Sequence, residues 1–139
     1  VATLRALANR LNAYANHLDD LVYERIARIT LEVVRALVYD TPVDTSKALS
    51  NWRVGDANSA AIPALYAGQQ GSTQGASAAL ALANAEAAIR AARGAKKLVV
   101  FNAVPYIRRL NEGSSLQAPA GFVEAAILRG RLAARAANR

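Results

Sequence analysis

The sequence predicts an α+β domain with a long N-terminal helix, a small β-sheet and two further helices. Three observations carry that expectation. Residues 1–40 hold neither Gly nor Pro and repeat apolar side chains at helical spacing. Strand-like composition is confined to 51–54 and 97–104, too little for a sandwich, and no βαβ glycine fingerprint separates the two. An alanine-dense stretch and a final Phe-Val-Glu-Ala-Ala-Ile-Leu segment read as helices. At 139 residues the chain suits one domain, organised as the helix over 1–40 and an α+β unit over 41–139 with a flexible loop near 55–75.

Within the first helix, Leu4, Leu7, Leu11, Tyr14, Leu18, Val22, Ile26, Ile29 and Val33 recur with a mean step close to the ~3.6 residues of a helical turn. Thr41-Pro42 stops it, because the residue before a proline is pushed out of the α region. An unbroken helix of this length spans ~60 Å, whereas a compact chain of this size is only ~37 Å across. The helix therefore either folds back, with the weak helix formers of Asn16-His17-Leu18-Asp19-Asp20 as the place for a break, or overhangs. In the second case its apolar stripe needs a partner subunit to cover it.

Thr41-Pro42-Val43-Asp44-Thr45-Ser46 reads as a turn in which Asp44 or Thr45 caps a short helical turn through Leu49. Asn51-Trp52-Arg53-Val54 alternates polar and apolar and reads as a strand, with Trp52 directed to the core. Ser77 to Arg93 reads as an alanine-rich helix closed by Gly94, and Lys97 to Val104 as a buried strand ended by Pro105. Pro119 is placed at the first position of the last helix, whose apolar face is supplied by Phe122, Val123, Ala126, Ile127 and Leu128.

Composition excludes most familiar chemistry. Hydrophobic types reach 53%, but 33 of those residues are alanines, which bury little area each. With no Cys and one His there are no disulfides, thiolate nucleophiles or paired histidine ligands. The serines lack a G-x-S-x-G elbow, and the glycines at 68–75 are not followed by the lysine of a phosphate-binding loop. Asp19, Asp20, Glu24 and Glu32 stand beside Arg25, Arg28 and Arg35 at ion-pair spacing on a solvated helix face. His17 reads as a surface histidine. No enzyme, cofactor or metal is expected. No apolar run approaches the ~18 residues that span a bilayer and no signal-peptide pattern opens the chain, so it is expected to be soluble and made in the cytoplasm.

The net charge of +7 is unevenly placed: residues 1–54 carry seven basic and six acidic groups, 55–94 two and two, and 95–139 eight and two. Lys96, Lys97, Arg129, Arg131 and Arg135 are the candidate DNA-facing residues of that basic end. The competing reading is a solvated helix end with arginines at the negative pole of its dipole. Trp52, Tyr66 and Tyr106, with Arg53 and Arg108 near in sequence, keep base stacking open, although clustered sheet aromatics are missing and Trp52 reads first as a core residue.

Residues 102–124 read Asn-Ala-Val-Pro-Tyr-Ile-Arg-Arg-Leu-Asn-Glu-Gly-Ser-Ser-Leu-Gln-Ala-Pro-Ala-Gly-Phe-Val-Glu. This segment resembles the C-terminal half of a family of tailed-bacteriophage neck, head-tail joining and tail-completion proteins, whose pattern there is approximately N-x-x-P-Y-I-x-x-L-N-x-G-S-S-x-Q-A-P-x-G-[FM]-V. Upstream, Thr41-Pro42-Val43-Asp44-Thr45-Ser46 and Asn51-Trp52-Arg53-Val54 are similar to the family's T-P-V-D-T-G and S/N-W-x-V, with Ser46 in place of the glycine. The likeness covers roughly residues 40–128.

The resemblance implies a non-enzymatic virion protein of the neck or head-proximal tail, a connector, stopper or tail terminator that forms a homo-oligomeric ring. Its partners are then other copies of itself, the neighbouring phage proteins and the DNA passing through the lumen, with no membrane involved. Residues 105–122 make a fixed corner, which serves either the fold alone or a joint between subunits. For the joint, Tyr106, Arg108, Asn111, Ser114, Gln117 and Phe122 are the candidate ring-interface residues. The rival from another class is a nucleic-acid-binding module using the basic C-terminal helix.

Overall fold

The computed structural model describes residues 3–41, 47–55, 74–113 and 120–136. It is mostly helical, in the order α1 (Leu4–Asp40), α2 (Lys47–Ser50), β1 (Arg53–Gly55), α3 (Gln74–Ala91), β2 (Val99–Phe101), α4 (Ile107–Asn111) and α5 (Phe122–Ala136). The expected class, a long N-terminal helix with a small sheet and further helices, is what the chain adopts. β1 and β2 pair antiparallel, with Arg53 opposite Phe101, Val54 opposite Val100 and Gly55 opposite Val99.

α1 is a single helix of 37 residues, and the break considered at Asn16–Asp20 does not occur. Asn, His and Asp each give up at most ~0.7 kcal/mol of helix propensity relative to Ala, and without Gly or Pro every added residue still closes one backbone hydrogen bond. The Thr3 hydroxyl caps the start, accepting from the Ala6 N–H at 3.1 Å. At the other end Thr41 turns extended, and its N–H still reaches the Leu37 carbonyl at 3.0 Å.

The core lies around the second half of α1. Tyr23, Val34, Leu37 and Val38 meet Leu49, Trp52 and Val54, then Ala78, Ala81, Ala85 and Ile89 of α3, and Phe122 and Ala126 of α5. The alanine spacing on α3 lets its backbone approach closely, and the Tyr23 hydroxyl donates to the Ile89 carbonyl. α5 runs back along α1: Asp40 faces Arg129 at 3.9 Å, Gly130 sits on Val33, and Arg25 Nη2 donates to the Ala134 carbonyl at 3.5 Å. The Trp52 indole N–H donates to Thr41 Oγ1 at 2.7 Å, and that hydroxyl in turn donates to the Leu37 carbonyl, which ties the end of α1 to the start of the sheet.

Several expected boundaries shift. Asn51 and Trp52 precede β1 rather than belonging to it, and the Asn51 amide donates to the Lys47 carbonyl at 2.7 Å, closing α2. β2 has three half-buried residues instead of forming a buried strand, and among the described residues its one strand neighbour is β1. α5 begins at Phe122 and not at Pro119. The backbone at Gly121, with φ +83, still lies outside the helical region. Gly94 takes the positive φ expected of it, +88, just beyond α3. The 41–46 turn beyond Thr41, nearly all of the 55–75 loop, and Ser114 to Pro119 lie outside the described residues.

Candidate interaction surfaces

The corner that carries the family-like motif is built from local hydrogen bonds. Asn102 Oδ1 accepts from the Val104 N–H at 3.0 Å while its amide donates to the Ala48 carbonyl at 2.7 Å, so the exit from β2 is fastened to α2. Val104 is buried, Pro105 is exposed, and Tyr106 opens α4 without a side-chain cap. Ile107 and Leu110 turn toward the core, which leaves Tyr106, Arg108 and Arg109 outward. Gly113 has φ +97, and a Cβ there would lie 3.1 Å from the Ala120 Cβ, so this turn requires glycine.

Asn111 holds the corner to α5. Its Oδ1 accepts from the Val123 N–H at 2.9 Å and its backbone carbonyl accepts from the Gly121 N–H at 2.8 Å. Its amide donates to Glu124 Oε2 at 3.0 Å and Oε1 at 3.1 Å. Gly121 stands at the cap position of α5 and has no side chain, so Asn111 supplies the capping oxygen from another helix. The Asn111 amide, and then Glu124's own backbone N–H, hold the Glu124 carboxyl below the ordinary glutamate value. A lowered folded-state pKa means the contact is complete above the unfolded value and is lost as pH falls through the folded one. An NMR titration should therefore place the Glu124 midpoint below that of a free glutamate, and Asn111→Ala should move it back while costing ~1 kcal/mol of stability. An unchanged midpoint in the variant would show that the amide does not hold the carboxylate.

The candidate interface set is thus divided. Tyr106 and Arg108 are exposed and available to a partner. Asn111 is engaged within the chain, and Phe122 is 2% exposed in the core, where it cannot reach a neighbour. Ser114 and Gln117 lie outside the described residues. Two residues also leave the base-stacking picture. Trp52 is core, and Arg53 is buried with its guanidinium 4.7 Å above the Phe101 ring, the cross-strand partner that the register places opposite it.

The basic candidates are all exposed, but they do not share one element: Lys96 and Lys97 lie between α3 and β2, and Arg129, Arg131 and Arg135 lie on α5. α5 also differs from the apolar face expected of it. Phe122, Ala126 and Gly130, spaced by four, face inward, while Ile127, Leu128 and Leu132 point outward among the arginines. Of the ion pairs expected along α1, Glu32–Arg35 forms at 2.9 Å, on the surface. His17 is exposed, and among the described residues no group of three His, Cys, Asp or Glu side chains is placed to hold a metal. No helix of the described residues is long and apolar enough to cross a membrane.

The unbroken first helix leaves the overhanging apolar stripe that the sequence offers as its second case. Before Tyr23, α1 takes no part in the core cluster of the described residues: Leu4, Leu7, Leu11, Tyr14, Leu18, Leu21 and Val22 are exposed by 45–87%. These nineteen residues form an arm ~28 Å long that carries an apolar stripe into solvent. Set against protein-family models, curated proteins and solved structures, the chain gives no match in any of the three comparisons.

Proposed function

We propose that this chain is a structural component of a tailed-phage neck or head-proximal tail, where copies of it form a ring around the DNA channel. The observation that supports this best is the uncovered arm of α1. Soluble chains rarely leave contiguous apolar surface of that extent without a partner, and a helix projecting past its own core offers it to a neighbouring subunit. A contact in which an arm meets a different surface of the next copy is heterologous, and such contacts close into rings when the rotation permits. The family-like motif at 102–124 favours the neck or head-proximal tail as a whole and no one station along it, and its corner leaves Tyr106 and Arg108 outward beside the Asn111 tie to α5.

A phage lacking the chain should accumulate DNA-filled heads beside separate tails, and supplying the chain should restore joined, infectious particles. Normal virions in its absence would overturn the reading. The rival, a nucleic-acid-binding module, draws on the exposed Arg129, Arg131 and Arg135. It requires that the free chain bind duplex DNA with an affinity falling steeply with salt, as phosphate neutralisation dictates. The mixed apolar and basic surface of α5, with Leu128 and Leu132 beside those arginines, suits a protein contact better.

A further inference from the structure

The exposed arm has a finer pattern than amphipathicity. Leu4, Leu7, Leu11, Tyr14, Leu18 and Leu21 step alternately by three and four residues, the period of a coiled-coil seam rather than of a helix packed on a globular core. The next two seam positions are Arg25 and Arg28, and there the apolar pattern passes to Ile26, Ile29 and Val33, which face the chain's own fold. The seam therefore ends where intramolecular packing begins.

We infer that in the free chain this arm pairs with the arm of a second copy as an antiparallel two-stranded coiled coil. The pairing rests on the arm alone and holds whether or not the chain builds a neck ring. Three features of the arm fix the occupant and the direction. The first is self-complementarity. With Leu4 level with Leu21 of the second copy, Leu7 meets Leu18 and Leu11 meets Tyr14, so all six seam residues of each copy are covered and each bulky Tyr14 packs on a smaller leucine. A parallel pair would stack Tyr14 on Tyr14. The second is charge. Arg5 and Arg10 occupy the first half of the arm and Asp19 and Asp20 the second, so antiparallel pairing sets the basic half of each copy alongside the acidic half of the other, a complementarity of field along the axis, since Arg5, Asp19 and Asp20 stand on the outer positions of the pair. Parallel pairing would set like against like. The third is the flank, where Ala8 and Ala15 sit beside the seam and allow close approach of the two helices.

The contact is small. At most eighteen residues a side take part, below the ~20–30 of a standard stable interface, so the dimer should be weak and exchangeable. A ring neighbour could then replace it on assembly.

The 139-residue chain has no cysteine, which makes the direction directly measurable in it. An equimolar mixture of Leu7→Cys and Leu18→Cys chains should form the mixed disulfide at least ~10-fold faster than either chain forms its own, since only the mixed pair shares a layer. Asn16→Cys, on the outer face, gives the background rate. Leu7→Cys or Leu18→Cys chains that form their own disulfide faster than the mixed one would establish a parallel pair, and rates no faster than background would show that the arms do not meet; either result overturns the proposal. Sedimentation velocity over micromolar concentrations should show Leu11→Asp weakening self-association at least ~100-fold, because two layers of the pair each receive an unpaired carboxylate. Its thermal midpoint at dilution should match the unmodified chain, since the arm lies outside the core. A wild-type chain that stays monomeric throughout that range also overturns it.

Discussion

Trp52→Ala should lower stability by ~3–5 kcal/mol, the range for emptying a buried aromatic site, out of the ~5–15 kcal/mol that holds a domain of this kind together. The side chain is 5% exposed and packs among Val34, Leu37, Val38 and Leu49 in one core cluster, and its indole N–H is bonded to Thr41. Truncation removes the packing and the tie to the end of α1 together. Trp52→Phe keeps most of the volume and loses only the donor, so its loss should be nearer 1 kcal/mol. Circular dichroism through urea unfolding reads both. A Trp52→Ala chain as stable as the unmodified protein would mean that the residue does not organise this core.

The second large effect is expected at Gly130. A Cβ built there lies 2.5 Å from Val33 Cγ2, with Ile29 Cγ2 at 3.9 Å, so any side chain at this position pushes α5 off α1. Val33 cannot yield easily, because a β-branched residue in a helix has essentially one χ1 well. Gly130→Leu should lose ~3 kcal/mol to overpacking, a drop of roughly 10 °C in Tm for a domain of this size. Gly130→Ala should lose less, since the helix gains ~1 kcal/mol of propensity. Combined with Val33→Ala, which removes the obstructing methyl, Gly130→Ala should recover part of the loss, giving a coupling of ~1 kcal/mol in a double-mutant cycle. Simple additivity would place the strain elsewhere.

Much of the fold was legible where one strong local signal acted without competition. The unbroken apolar period and the Thr41-Pro42 stop defined α1, and Gly94 adopts the positive φ that closing α3 demands. Expectations failed where the deciding interaction lay between distant residues. Apolar content suggested that Ile127 and Leu128 face the core, but the tight seat of Gly130 on Val33 fixes the rotation of α5 and turns them outward. Asn111 read as an interface residue, yet Gly121 leaves α5 without a cap of its own and Asn111 fills that need; a glycine directly before Phe-Val-Glu was the available signal. Arg53 reads as a basic neighbour of base-stacking aromatics, and the strand register instead buries it over Phe101. Helix propensities could not settle whether α1 bends at Asn16–Asp20, because the differences among those residues are smaller than the cooperative gain of continuing the helix.

The central claim, that the chain works as a ring-forming part of a phage neck or tail, is tested most directly by an electron cryomicroscopy reconstruction of intact particles that contain it. The account predicts a closed ring of copies between head and tail, coaxial with the DNA, with the seam from Leu4 to Leu21 covered by protein and Tyr106 and Arg108 at a boundary between subunits. Particles complete at that junction but without the chain, or copies of it bound singly along packaged DNA through α5, would contradict it.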